Sequence, residues 1–154
     1  MSEPVSIRYK NPGAMWGGNA IARKWGAIGN VAINDGLHQN NHIAIFPDFI
    51  RGAAAQFDLW NHSYSGTSLR AAIHRWCGGN SSEKYIMFLE RHTGLIGASV
   101  VTRFTLSQPV GIRLMKAQAQ WEAGKPYPMS EQEWEKAQEL VFPKPLPEST
   151  PNVS

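Results

Sequence analysis

The stretch Leu106 to Tyr127, LSQPVGIRLMKAQAQWEAGKPY, holds a helix start, an apolar stripe and a helix stop in one segment. The rest of the chain must therefore supply partners for its apolar side. Ser107 is placed to cap the helix, Pro109 suits its first turn, and Gly124 with Pro126 ends it. Val110, Leu114, Ala117 and Trp121 fall at i, i+4, i+7 and i+11, which predicts one inward face. A second, mixed stripe of Ile112, Met115, Ala119 and Glu122 lies beside it. Glu122 thus projects from the last turn, at the border of a buried face and beside an indole. Desolvation and the helix C-terminus both disfavour its anion. An acid so placed can act as a proton donor near neutral pH. The other reading of the same residue is a solvated carboxylate at a helix end.

The balance of residues narrows the classes. With 154 residues, 42% hydrophobic and 18% charged, the chain can fill one core. No run is long and apolar enough to span a membrane. The opening MSEPVSIRYK lacks the apolar segment of a secretory signal, so the expectation is synthesis in the cytoplasm and action elsewhere only after delivery or lysis. Cys77 is the single cysteine, which excludes an internal disulfide and a multi-cysteine zinc site, and it is expected to be a small buried residue. The net charge of +3 comes from scattered Lys and Arg, a pattern that argues against nucleic acid and suits a polyanionic cell wall. Six tryptophans can fill a core or stack on sugar rings, and most are expected in the core.

In chain order, Tyr9-Lys10-Asn11-Pro12-Gly13 and Trp16-Gly17-Gly18 are turn signals around a loop that either lines a cleft or caps the first hydrophobic layer. Residues 30–46 read as a β-hairpin with a polar tip, DGLHQNNH. Asp35, His38 and His42 there do not complete a metal-binding spacing, so no metal or other cofactor is expected. Asp35 is either a turn aspartate or a second carboxylate facing Glu122. Helices follow: residues 47–62 with Pro47 in the first turn, a helix capped by Thr67 and carrying Leu69, Ala72, Ile73 and Trp76 inward, and another from Ser81 or Ser82 to His92. Residues 95–106 are ambiguous, with Val100, Val101 and Phe104 expected to be partly buried. Ser130 to Glu133 is a capping box that opens a last helix. This predicts a mostly helical α+β fold, with one domain over residues 1–142 and a flexible Pro-rich tail over 143–154.

Taken together, Asn11-Pro12-Gly13, Trp25-Gly26, Phe46-Pro47 with Gly52-Ala53-Ala54, the segment Leu69 to Trp76, Tyr85, and Trp121-Glu122-Ala123-Gly124 with Pro126-Tyr127 resemble a family of small phage and prophage proteins. That family shows an N-N-P-G-N opening, an F-x-x-F-x-x-x-x-x-G-x-R-A segment, an I-x-x-W segment and a closing H-E-x-G-x-x-P-Y. The likeness runs from about Ile7 to Tyr127. Tyr9-Lys10 replaces the first Asn, Trp121 stands where His is usual, and the G-x-R-A arginine is absent. Members are often labelled virion structural proteins, and the family is similar to lysozyme-type peptidoglycan hydrolases.

The resemblance implies a lysozyme-like fold with a small β-hairpin lobe. Lysozymes place the helix ending in the acidic glutamate before the loop and hairpin. Here it comes after them, so the expected arrangement is a circular permutation. The implied reaction is cleavage of peptidoglycan glycan strands with Glu122 as general acid, as a muramidase if Asp35 assists and as a lytic transglycosylase if Glu122 works alone. Tyr9, Asn11, Trp16 and Tyr127 are the expected saccharide contacts. The alternative is a non-catalytic virion or tail component that binds the cell wall. A partner in a virion or a secretion apparatus is compatible with either.

Overall fold

The computed structural model describes residues 3–32, 42–78 and 82–144, and over these the chain is a mostly helical α+β protein, as expected. Two short helices open it, α1 (Val5–Arg8) and α2 (Ala20–Lys24), and the Asn19 side chain accepts from the Ala22 amide to cap the second. The hairpin follows as β1 (Gly29–Ala32) and β2 (His42–Ile45), antiparallel with Gly29 opposite Ile45 and Ala32 opposite His42. Its polar tip, with Asp35 and His38, lies outside the described residues. β2 buries Ile43 and Ala44, whereas β1 is largely exposed, so the hairpin covers the body with one strand.

The helix α3 (Phe49–Leu59) starts at Asp48, whose carboxylate accepts from the Arg51 amide at 2.8 Å. Pro47 therefore precedes the cap and is not in the first turn. A π turn, Trp60–Tyr64, continues α3. The two-residue strand β3 (Thr67–Ser68) pairs with β4 (Val100–Val101). Thr67 is committed to that ladder, and it is Ser68 whose side chain accepts from the Ala71 amide to cap α4 (Leu69–Trp76). Then come α5 (Ser82–Thr93), closed by Gly94 at φ 80°, and the one-turn α6 (Arg103–Leu106), which Thr102 and Thr105 cap reciprocally. The ambiguous stretch thus holds β4 and α6. Val101 and Leu106 are sealed, but Val100 and Phe104 are 55% and 72% exposed, contrary to expectation. Alternation along a strand sends only one of two adjacent valines inward, and Phe104 lies on the outer side of α6.

The central element is α7 (Pro109–Ala123), which packs against α5, α1, α6, α8 and α3. Ile112, Leu114, Met115, Ala117, Gln118 and Ala119 are all buried, so both stripes face protein. Two expectations about this helix need correction. Ser107 does not cap it: Gln108 is the cap residue without a side-chain bond, and Ser107 Oγ donates to the Phe104 carbonyl. Trp121 does not fill the core either. The last turn emerges from between its neighbours, which leaves the indole 36% exposed against Tyr85 and Phe88. Among the tryptophans only Trp60 and Trp134 are sealed, Trp25 and Trp76 are partly buried, and Trp16 is 60% exposed. Cys77 is half-buried rather than enclosed. The last helix, α8 (Glu131–Val141), opens on the expected Ser130–Glu133 capping box. Beyond it, Phe142 stacks edge-on against Phe57 at 6.2 Å, which carries the packed core as far as residue 142. Among the described residues, no helix is long and apolar enough to cross a membrane.

A close backbone approach ties the first loop to α3. A Cβ on Gly52 would sit 1.9 Å from the Lys10 carbonyl oxygen. Gly52→Ala must push two backbone segments apart, an overpacking cost of about 1–3 kcal/mol. A lower denaturation midpoint is the expected result, and an unchanged midpoint would show that the loop yields freely.

Candidate active site

Glu122 stands in the last turn of α7, two residues before the αL glycine, Gly124, that ends the helix backbone after Ala123. Its neighbour Trp121 lies against Tyr85 of α5, ring centroids 4.9 Å apart and planes at 23°. Burial raises the Glu122 pKa above the ordinary value of 4.5, while the nearby Tyr85 hydroxyl pulls in the opposite direction. Tyr85 is itself 2% exposed, and its pKa is driven well up by burial and then by the Glu122 charge. The acid is thus half-buried with a phenol beside it, and the solvated reading does not describe its surroundings.

A buried polar chain backs this pair. Gln118, one turn before Glu122 and fully buried, accepts on Oε1 from Gln56 Nε2 at 2.8 Å and from Trp60 Nε1 at 3.0 Å. Gln56 Nε2 also reaches the Met115 carbonyl at 3.2 Å. Both amide orientations are fixed by this pattern, because turning either side chain would set donor against donor or acceptor against acceptor. The orientation leaves Gln118 Nε2 and the Tyr85 hydroxyl, neighbours in the chain of polar groups, without a partner at standard hydrogen-bond geometry. Helical spacing puts Trp60 on one stripe with Ile50, Ala53, Ala54 and Phe57, but nothing in local periodicity marks Gln56. Gln118, however, falls four residues after Leu114 and four before Glu122, and a polar residue on that apolar stripe is a readable signal.

The Asn-Pro-Gly loop closes over the same network. Lys10 and Ala14 both adopt positive φ, 56° and 50°, an unusual pair for residues with a side chain. A Cβ on Gly13 would meet Gln56 Cγ at 3.0 Å and Trp76 at 3.2 Å. The loop, α3, α4 and the end of α7 therefore converge, although they are far apart in the chain.

The expected saccharide contacts separate into different roles. Asn11 is 1% exposed and its side chain is fully engaged: Nδ2 donates to the carbonyls of Met15 and Ala44, both at 2.9 Å, and Oδ1 accepts from the Met15 amide at 2.9 Å. It locks the loop onto β2 and cannot also hold a sugar. Tyr127 is 8% exposed, donates its hydroxyl to the Ser6 carbonyl at 2.6 Å and stacks edge-on with Phe49, so it too is a strut. Tyr9 is half-buried, with the Arg8 guanidinium over its ring. Trp16 alone is well exposed. It forms, with Met15, Asn19, Tyr64, Arg75 and Trp76, the wall of a cavity of about 210 Å³. Asp35, the other proposed acid, lies outside the described residues.

A larger cavity, about 800 Å³, is elsewhere, at the opposite end of α7 between Arg103, Arg113, Glu131 and Glu135. Its lining mixes both signs of charge, and no unpartnered buried polar atom has been found there among the described residues. Volume alone does not make it the better candidate. No group of three or more His, Cys, Asp or Glu among the described residues is placed to hold a metal ion.

The raised Glu122 pKa gives a stability prediction with a definite sign. The native state holds its proton to higher pH than the unfolded chain. The contribution to stability is therefore complete below the ordinary value of 4.5 and is lost as pH rises through the folded value. The unfolding free energy of the native sequence minus that of Glu122→Gln should fall as pH rises across this window. Denaturant titrations at several pH values check it, and a flat or rising difference would contradict the burial. Compared with family models and with curated proteins, the chain matches none.

Proposed function

We propose that this protein cleaves the glycan strands of peptidoglycan, with Glu122 as the general acid. The observation that carries the reading is the half-buried Glu122, whose pKa burial raises, with Tyr85 beside it and an aromatic groove of Trp16 and Trp76 adjoining the Asn-Pro-Gly loop. The resemblance to the lysozyme-like phage family supports it from the sequence side. So does the convergence of loop, hairpin and late helix: Asn11 binds Ala44 of β2, Gly13 abuts Gln56, and Gln56 bonds Gln118 of α7. We read that convergence as a lysozyme-like site in permuted chain order.

In this reaction protonated Glu122 donates to the oxygen of the β-1,4 bond between N-acetylmuramic acid and N-acetylglucosamine. The C–O bond breaks as an oxocarbenium-like state forms, and the leaving sugar departs with a hydroxyl. Two completions are open. Water adds to the muramic carbon if a second carboxylate assists, and Asp35 is the candidate. Otherwise the muramic 6-hydroxyl attacks the same carbon and returns its proton to Glu122, giving a 1,6-anhydro ring. The sequence favours the single-glutamate course, because no second acid sits in a recognisable motif.

Incubation with purified peptidoglycan and mass analysis of the released material tests the proposal. Soluble muropeptides are expected, and an anhydro terminus identifies the transglycosylase course. A second reading, a non-catalytic virion or tail component, is favoured by the exposed apolar side chains Met87, Ile96, Val100 and Phe104. It requires that no muropeptide be released at any protein concentration and that the chain self-associate.

A further inference from the structure

We infer that the groove between Trp16 and Trp76 is a subsite for a sugar ring bearing a carboxylate, with Arg75 as its counter-charge. The inference rests on the glycan reading above and assigns the groove to a muramic acid residue whose stem peptide has been removed.

The walls of the groove are fixed. Trp76 is stacked on Trp60, centroids 5.8 Å apart at 23°, and is tilted against Tyr64 at 4.9 Å. Opposite it, Trp16 is 60% exposed yet held by its backbone, since its carbonyl accepts from Asn19 Nδ2 at 2.6 Å and it bridges to Ile43 of β2. No aromatic ring among the described residues pairs with the Trp16 indole. A solvent-facing indole on an anchored backbone, lining the same groove as a second one, offers stacking surface to the apolar face of a sugar ring, and its two side-chain torsions keep the ordering cost small. The space, about 210 Å³, suits one ring rather than a strand.

Arg75 makes the groove more than an aromatic cleft. Its Nη1 donates to the Ser63 carbonyl at 2.8 Å, and the guanidinium lies over the Tyr64 ring at 4.5 Å. Those contacts hold the planar fork in place without neutralising it. Among the described residues, the ion pairs join Lys24 to Asp58, Arg51 to Asp48, Arg70 to Glu83 and Lys116 to Glu131, and none involves Arg75. A preorganised guanidinium with donors to spare matches a carboxylate in two parallel hydrogen bonds. Of the two sugars in the strand, only N-acetylmuramic acid carries a carboxyl, on its lactyl ether, and it is a free carboxylate where the stem peptide has been removed and an amide where the peptide is attached. The stem peptide is the other source of carboxylate, and the experiment separates the two.

Binding is measured in the Glu122→Gln background, so that no saccharide is consumed. The probes are a peptide-free oligosaccharide of alternating N-acetylglucosamine and N-acetylmuramic acid, the same oligosaccharide with stem peptides, and a chitin oligosaccharide of equal length. The peptide-free acidic probe is expected to bind about tenfold or more tighter than the chitin probe, the scale of one charge-assisted hydrogen-bonded pair. Arg75→Gln should erase that preference, Arg75→Lys should retain part of it, and Trp16→Ala should weaken both probes alike. Equal affinity for the acidic and neutral probes, or a preference that survives Arg75→Gln, overturns the subsite. So does a preference that appears only with stem peptides, which moves the recognition to the peptide. Arg75 and Trp16 are surface side chains, so their variants are expected to fold. Release of muropeptides by the native chain without any acidic preference would sink the subsite and leave the glycan activity standing. An acidic preference in a chain that releases nothing would do the reverse.

Discussion

Glu122→Gln is expected to abolish glycan cleavage while the protein stays folded. Glutamine keeps the shape of the side chain beside Tyr85, but it has no acidic proton to give. General acid catalysis supplies about 10² to 10⁴ in rate, and the release of muropeptides should fall by at least that range. Because burial raises the pKa of the native acid, activity should also decline as pH rises through its folded pKa, and the variant should show no such limb. Tyr85→Phe sharpens the point. The hydroxyl lowers the Glu122 pKa, so its removal should carry the declining limb to higher pH. Muropeptide release by Glu122→Gln at the native rate would take Glu122 out of the mechanism.

The second large effect falls on stability. Asn11→Ala strips three hydrogen bonds from a site that water does not reach, and orphans the Met15 amide and the carbonyls of Met15 and Ala44. Each buried group left without a partner costs about 1–3 kcal/mol, although neighbouring losses do not add in full, and a total of about 3 kcal/mol is expected. For a domain of this size, that corresponds to a fall in Tm of roughly 6–12 °C. Thermal and denaturant unfolding measure it. If Asn11 were instead a saccharide contact, the variant would keep its Tm and lose affinity, which makes the two roles separable in one preparation.

Asn11 also shows where reading by sequence stops. An asparagine in Asn-Pro-Gly is polar and stands in a turn, so a place on the surface facing substrate is a fair expectation. What removes it from the surface is Ala44, thirty-three residues later, whose carbonyl comes to its amide when β2 docks. Tyr127 went the same way, for its hydroxyl finds Ser6 at the far end of the chain. Trp121 erred in the opposite sense: helical spacing gives its angle around α7 but not where the neighbouring helices end. Caps were legible when one residue decided them, as at Ser130 with Glu133, and misread when a competing partner existed, as at Thr67, which is held by β4.

The mostly helical α+β class, the hairpin, the long helix closed by Gly124 and the presence of an acid at its end were all determined by the sequence, because periodicity, turn residues and caps act over a few positions. The identity of the groups around that acid was not. Tyr85, Gln118, Gln56, the Lys10 to Ala14 loop, and the groove between Trp16 and Trp76 are assembled from segments as much as a hundred residues apart. Only their packing in three dimensions sets which polar atom is buried, which is paired and which is left facing solvent.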